Sequence, residues 1–328
     1  MSRFALHPRL AWLGWRFAFL LMAATLASAA QAHAAKELLN AGRADDAIRT
    51  LRERIDQSPS DAEANNLLCR TYLMLEQWDL AIPACERARN LDPQNSTYHL
   101  WLGRAYGEKA DHSVFFLAAG LAHKARASFE RAVELDPKSW EARTDLAEFY
   151  VEAPAIMGGG KDKALRQADA IMPLNSGMAH WIYARVAEKE KDPARAESEY
   201  RAEIAASHSA IRAWIDYAIF LRHEGRLDDM EQALEKLESG PVDRPEALMD
   251  GASLLLRTGR NVPLAIRLLR RYLTAPVEEG PAFRAYDMLG QLLEKQGDRR
   301  GAVEQYRAAV ALARGYTRAQ QDLKRVEH

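Results

Sequence analysis

The sequence is poor in residues that interrupt or cross-link a chain. Its 328 residues include 2 Cys, 13 Pro and 18 Gly, which excludes collagen-like, low-complexity and disulfide-scaffold classes. No charge of one sign dominates, with 45 Lys and Arg against 46 Asp and Glu and a formal net charge of −1. Such a chain has no overall basic field to attract nucleic acid, and nothing else points to a nucleic-acid partner. Strand-like alternation is missing throughout, and beyond residue 35 no apolar run approaches the ~18 residues of a membrane span. What remains is ample apolar material, 48% of the residues, and therefore a soluble, core-forming chain.

The one long apolar stretch stands at the start. Arg3, Arg9 and Arg16 precede the run Phe17 to Ala27, and small residues follow through Ala34. This order of positive start, apolar stretch and A-x-A site, offered by Ala30-Gln31-Ala32 and Ala32-His33-Ala34, predicts a secretory signal peptide over 1–34. The arginines are not paired and the first cysteine is Cys69, so neither a twin-arginine signal nor a lipoprotein is expected. Cleavage would leave 42 basic side chains against 46 acidic ones, in the periplasm. The alternative is an uncleaved inner-membrane anchor, and membrane contact is expected only through this segment.

After the leader, a period of about thirty-four residues organises the chain. Its clearest unit runs from Ala62 to Asn95, with Leu68, Cys69, Tyr72, Ala81, Cys85, Ala88 and Pro93 at the marked positions. The next repeats Leu102, Gly103, Tyr106, Ala125, Phe129, Ala132 and Pro137, and weaker copies end with Leu289-Gly290, Ala302, Tyr306 and Ala309. These spacings resemble the tetratricopeptide repeat. The resemblance implies an all-α, right-handed superhelical solenoid of stacked antiparallel helix pairs. It covers 35–315 in about eight units, the first truncated, with 316–328 as a capping helix. Apolar residues at three- and four-residue steps, such as Leu67, Leu68, Tyr72 and Leu75, agree with helices. An elongated, curved shape with an extended concave surface follows from such stacking.

Catalytic chemistry finds little footing. Gly158-Gly159-Gly160-Lys161 lacks the P-loop's earlier glycine and its following Ser or Thr, since Ala155 and Asp162 stand there. The histidines show no H-E-x-x-H, and His112 and His123 read as surface residues. No enzyme activity, metal or cofactor is expected. Cys69 and Cys85 fall in the middle of the two helices of one unit, where they form either a disulfide closing a sixteen-residue loop or two buried thiols.

The expected function is a protein-interaction scaffold in the cell envelope. By family position the concave groove would display Asn66, Arg70, Arg104, Glu148, Trp181 and Arg185 to a protein or peptide partner, or Arg104 and Glu148 would pair with each other. The family's carboxylate clamp is matched only by Asn66. Two departures from the period, an insertion near 107–124 and another near 152–161, are expected at adjacent turns. There Phe115, Phe116, Leu117, Pro154, Ile156, Met157, Gly158, Gly159, Gly160 and Lys161 would form one binding edge, or the aromatics would fill a gap between hairpins. A carrier or sensor of a small apolar ligand beneath Phe115, Phe116 and Met157 is the alternative function. Expressed with its own leader, the protein is expected in the periplasmic fraction with its N-terminus at His33 or Ala35, read by terminal sequencing; an intact Met1 in the membrane fraction would show an anchor instead.

Overall fold

The computed structural model describes residues 34–275 and 280–327. The expected leader therefore lies outside the described residues except at its last position. All regular structure among them is helical, in antiparallel pairs. The first pair is α1 (34–40) with α2 (Ala44–Gln57), followed by α3 (Ala62–Met74) with α4 (Trp78–Leu91) and α5 (Ser96–Asp111) with α6 (Phe115–Leu135). Next come α7 (Trp140–Glu152) with α8 (Lys161–Ile171), α9 (Ser176–Lys189) with α10 (Pro193–Ala206) and α11 (Ile211–His223) with α12 (Leu227–Glu235). The array ends with α13 (Glu246–Thr258) and α14 (Val262–Thr274), α15 (Ala282–Lys295) and α16 (Arg299–Leu312), and a last helix α17 (Thr317–Glu327).

Local chemistry sets the boundaries. Side-chain oxygens of Asp61, Asn95, Ser139 and Asn175 accept from backbone N–H groups in the first turns of α3, α5, α7 and α9, satisfying donors that a helix start leaves open. The turn inside a pair needs a left-handed residue. Positions 191, 225 and 259, each thirty-four apart, carry it as Lys191, Gly225 and Gly259, with φ of 60°, 72° and 67°. Lysine there shows that packing of the flanking helices outweighs the steric cost glycine avoids.

Between helices, alanines and aromatics interlock. Ala81, Ala88, Ala125, Ala132, Ala196 and Ala302 are buried, which lets backbones approach closely. The repeat tyrosines add a polar tie to this packing. Tyr106, Tyr150 and Tyr217 each donate to a glutamate twenty residues earlier, Glu86, Glu130 and Glu197, on the outer helix of the preceding pair. A buried phenol needs a partner, and the period supplies one from the neighbouring unit. Inside one pair, Cys69 and Cys85 have Cα atoms 5.1 Å apart and are joined as a disulfide between α3 and α4.

Two sequence expectations change. Most of the insertion at 107–124 is helix, not loop, because it lengthens α5 and gives α6 twenty-one residues. The array is also not an open, elongated spring. Its first two units meet its last one. Ala44 and Leu75 pack in one cluster with Phe283, Ala309, Ala313, Tyr316 and Ala319. Arg284 donates to the carbonyl of Met74 at 3.0 Å and pairs with Glu76 at 2.8 Å. Gly42, at φ +67°, lies so close to Ala282 that an added Cβ would stand 2.8 Å from that alanine's own.

The disulfide gives the fold a direct check. Replacing Cys69 and Cys85 together by Ala should lower unfolding free energy by up to about 3 kcal/mol in a denaturant titration, the loop-entropy value for sixteen residues. Quantitative alkylation of both cysteines in unreduced, denatured protein would contradict the bridge.

Candidate functional site

The first helix of each pair lines the inner wall, where it also meets the first helix of the next unit, as α7 meets α9 and α11 meets α13. On this wall the six expected groove residues behave differently from a free binding surface. Asn66 and Trp181 are buried, 4% and 8% exposed, so they serve the core instead of a ligand. Arg104 does not pair with Glu148; its Nε donates to Asp145 Oδ2 at 2.6 Å. Arg185 donates to Glu152 and its guanidinium stands 5.7 Å from the Trp181 ring centre. Arg70 and Arg104 both lie over the half-buried ring of Trp101, at 4.3 and 4.5 Å. The sequence reading passes over Trp101, although an arginine three residues later, Arg104, places the two on one helical face.

Glu148 differs from its neighbours. Its side chain reaches water, but the concave wall crowds it. Desolvation, with the carboxylates of Asp145, Glu152 and Asp216 nearby, pushes it up to about 7 against the opposing charge of Arg185. Deeper in the wall, Glu203 of α10 is 1% exposed and faces Asp216 of α11. Burial raises the Glu203 carboxyl first, and the Asp216 charge raises it further; burial also raises Asp216, opposed by Arg212 and Arg244. Glu203 Oε2 and Asp216 Oδ2 receive no hydrogen bond from any other group. One proton held between the two carboxyls satisfies both oxygens. Glu203 is too enclosed to meet a substrate, so the pair reads as structural polarity.

The two insertions do not make one edge. Val114 caps α6, Phe115, Phe116 and Leu117 open its first turn, and the four are 76%, 70%, 88% and 51% exposed, with the phenyl rings edge to face at 5.7 Å. They fill no gap between hairpins. A cavity of about 390 Å³ lies elsewhere, near the meeting of the chain's two ends, lined by Ala41, Tyr272, Tyr286 and Leu312 among others. The 152–161 segment sits against the middle of α6, where Arg126 donates to the Met157 carbonyl at 3.4 Å. Arg126 is eleven residues from Phe115, on the order of 16 Å along a helix. Pro154 and Ile156 are exposed there, Ile156 at 87%, while Met157 is half-buried.

Nor is the glycine run an open cradle. The N–H groups of Gly158, Gly159 and Gly160 donate to the carbonyls of Ala155, Pro154 and Tyr150. A Cβ on Gly159 would fall 1.8 Å from the Ala153 carbonyl oxygen, which makes the residue a packing requirement of the turn. Lys161 leaves the loop to pair with Glu190. His112, expected on a solvated surface, is exposed there and stacks on Trp78 with ring centres 4.2 Å apart. Among the described residues no group of three or more His, Cys, Asp or Glu is placed to hold a metal ion.

The repeat geometry meets its counterpart in known families. Tetratricopeptide repeat models match residues 38–105 and 283–316. These segments are tetratricopeptide repeats, and the described chain as a whole is an all-α helical-repeat solenoid. Its fold is similar to that of TTC0263, a thermophilic tetratricopeptide protein of Thermus thermophilus, at 18% identity and a TM-score of 0.50, over 59% of this chain and 98% of the other. It is also similar to yeast Tom70, at 17% identity and a TM-score of 0.51, over 87% of this chain and 58% of that one. Comparison with curated proteins gave no match. These likenesses concern the tetratricopeptide scaffold, and both structures are too distant in sequence to carry a partner across.

The buried carboxyl pair of this tetratricopeptide array predicts a pH dependence. A carboxyl whose folded pKa is raised stabilises the fold fully below its unfolded value near 4.5, and that contribution is lost as pH rises through the folded value. Wild type should therefore lose stability as pH rises above about 4.5, and Glu203→Gln, which keeps a donor toward Asp216, should lose less. Parallel stability curves for the two proteins in urea titrations would contradict the shared proton.

Proposed function

We propose that this chain is a non-catalytic interaction scaffold of the cell envelope that holds a protein partner on the exposed apolar tip of α6. Tetratricopeptide arrays are protein-interaction scaffolds in general. The observation that carries the finer reading is the tip itself. Val114, Phe115, Phe116 and Leu117 stand together in solvent on a helix that the insertion pushes outward. Aromatic anchors of this kind contribute roughly 1.5–3 kcal/mol each when fully covered, which makes them the natural centre of an interface. The concave wall is a weaker candidate, since Arg104 and Arg185 are already engaged by Asp145 and Glu152. Ile156 offers a second, separate apolar contact. Export to the envelope is supported by the leader pattern and by the Cys69–Cys85 bridge, which suits an oxidising compartment.

The test is a photo-crosslinking residue placed at Phe116 in the full chain, expressed in its own envelope. One discrete protein adduct is expected. Excess purified wild-type chain should compete it away, whereas the same chain carrying Phe115→Ser with Phe116→Ser should not. In parallel, that double substitution should abolish recovery of the crosslinked protein with Tm unchanged, since neither ring is in the core. Binding of the tip to anionic vesicles without a protein adduct would overturn the reading.

A further inference from the structure

The contact between the ends of the array forms a small cluster of its own, bordered by Ile48, Met74 and Tyr286, which also pack against the main core. Its N-terminal side contributes Ala44 and Leu75, with half-buried Ile48 and Met74. The unit-to-unit junctions inside the array, by contrast, run through one continuous cluster containing large buried side chains such as Tyr72, Phe129, Tyr200 and Tyr272. The polar ties at the seam are part-buried or reach solvent. Arg314 donates to Asp45 from its backbone N–H at 2.8 Å and from its side chain at 3.2 Å, and that side chain is 80% exposed. Gln77 reaches the Gly315 carbonyl at 3.3 Å, and Glu76, partner of Arg284, is half exposed. In a repeat array each unit is held by its neighbours, so these long-range contacts can part without unfolding any unit.

We propose that this seam is a reversible closure, and that opening it controls entry to the concave wall. The apolar patch is too small to weld the ends, and exposed ion pairs weaken as salt screens them. Closed, the array bends until α15 meets the turn after α3, and the inner wall that carries Glu148, Arg185 and Trp101 faces the inside of the curve. Opened, the same helices present that wall to a partner segment as an unobstructed groove. The closure is independent of the α6 tip, which lies outside the seam, so either reading can fail alone.

Small-angle X-ray scattering of the full chain tests it, read beside circular dichroism to keep helix content in view. Raising NaCl from about 0.05 to about 0.5 M should enlarge the radius of gyration with helicity unchanged, and Arg284→Glu should do so at low salt. Adding Glu76→Arg to that variant should restore the compact value. Asp45→Cys with Arg314→Cys, oxidised, should stay compact at every salt concentration. In a Glu148→Cys background, a bulky maleimide should label the locked protein more slowly than the unlocked one. If Arg284→Glu fails to fold, the milder Gln77→Ala and the salt series carry the same comparison. The proposal is overturned if wild type scatters as an open solenoid at low salt, or if its radius of gyration ignores salt and the seam variants alike.

Discussion

No helix pair in this chain can cover its own apolar face. That constraint governs the rest of the structure, because each pair must be completed by the next, and burial at every junction is shared between units. Small residues decide how closely the pairs approach. Ala81 and Ala88 in one unit, Ala125 and Ala132 in the next, are buried where larger side chains would hold the helices apart. Aromatic residues then fill what the alanines leave, and the tyrosine hydroxyls find glutamates one unit back.

Repeated stacking has a consequence no single junction contains. Each unit adds its own small rotation, and after eight pairs the accumulated turn brings residues near 42–45 and 74–77 to residues near 282–284 and 313–316. The inner wall therefore encloses charge. Burial there raises the carboxyls of Glu148 and Asp216, neighbouring acidic side chains of α7 and α11 add to the rise at Glu148, and arginines from α9, α11 and the segment before α13 offset part of the cost. Balanced charges of this kind hold a wall in shape. They also leave fewer groups available to a ligand than a groove of unpaired arginines would.

The outer edge follows a different logic. Where the period is kept, the turn inside a pair is tight and polar. Where it is broken, one extra stretch becomes helix and lifts four apolar residues into solvent, and the other becomes a compact turn whose glycine N–H groups are all used. The same sequence device, an insertion at corresponding turns, thus yields an exposed tip in one unit and a closed turn in the next. The close approach of Gly159 to the Ala153 carbonyl accounts for the second; among the described residues no helix receives Phe115 and Phe116, which accounts for the first.

Helical class, period and the identity of most core residues are legible in the sequence, because all three are local or nearest-neighbour properties. Leu68, Tyr72, Ala81 and Ala88 recur at spacings that only one arrangement of two helices can bury together. The sequence also narrows Cys69 and Cys85 to facing levels of one hairpin. Which side chains of the wall are engaged depends on how the helices pack. Arg104 could reach Asp145 or Glu148 equally well by position, and the choice depends on the rotation between α5 and α7. Burial of Asn66 and Trp181, and the partnership of Trp101 with two arginines, rest on the same rotation. The meeting of the ends is the furthest from sequence, since it is the sum of many small angles, and a slight change in each would part Arg284 from Glu76, two residues that sequence alone gives no reason to pair.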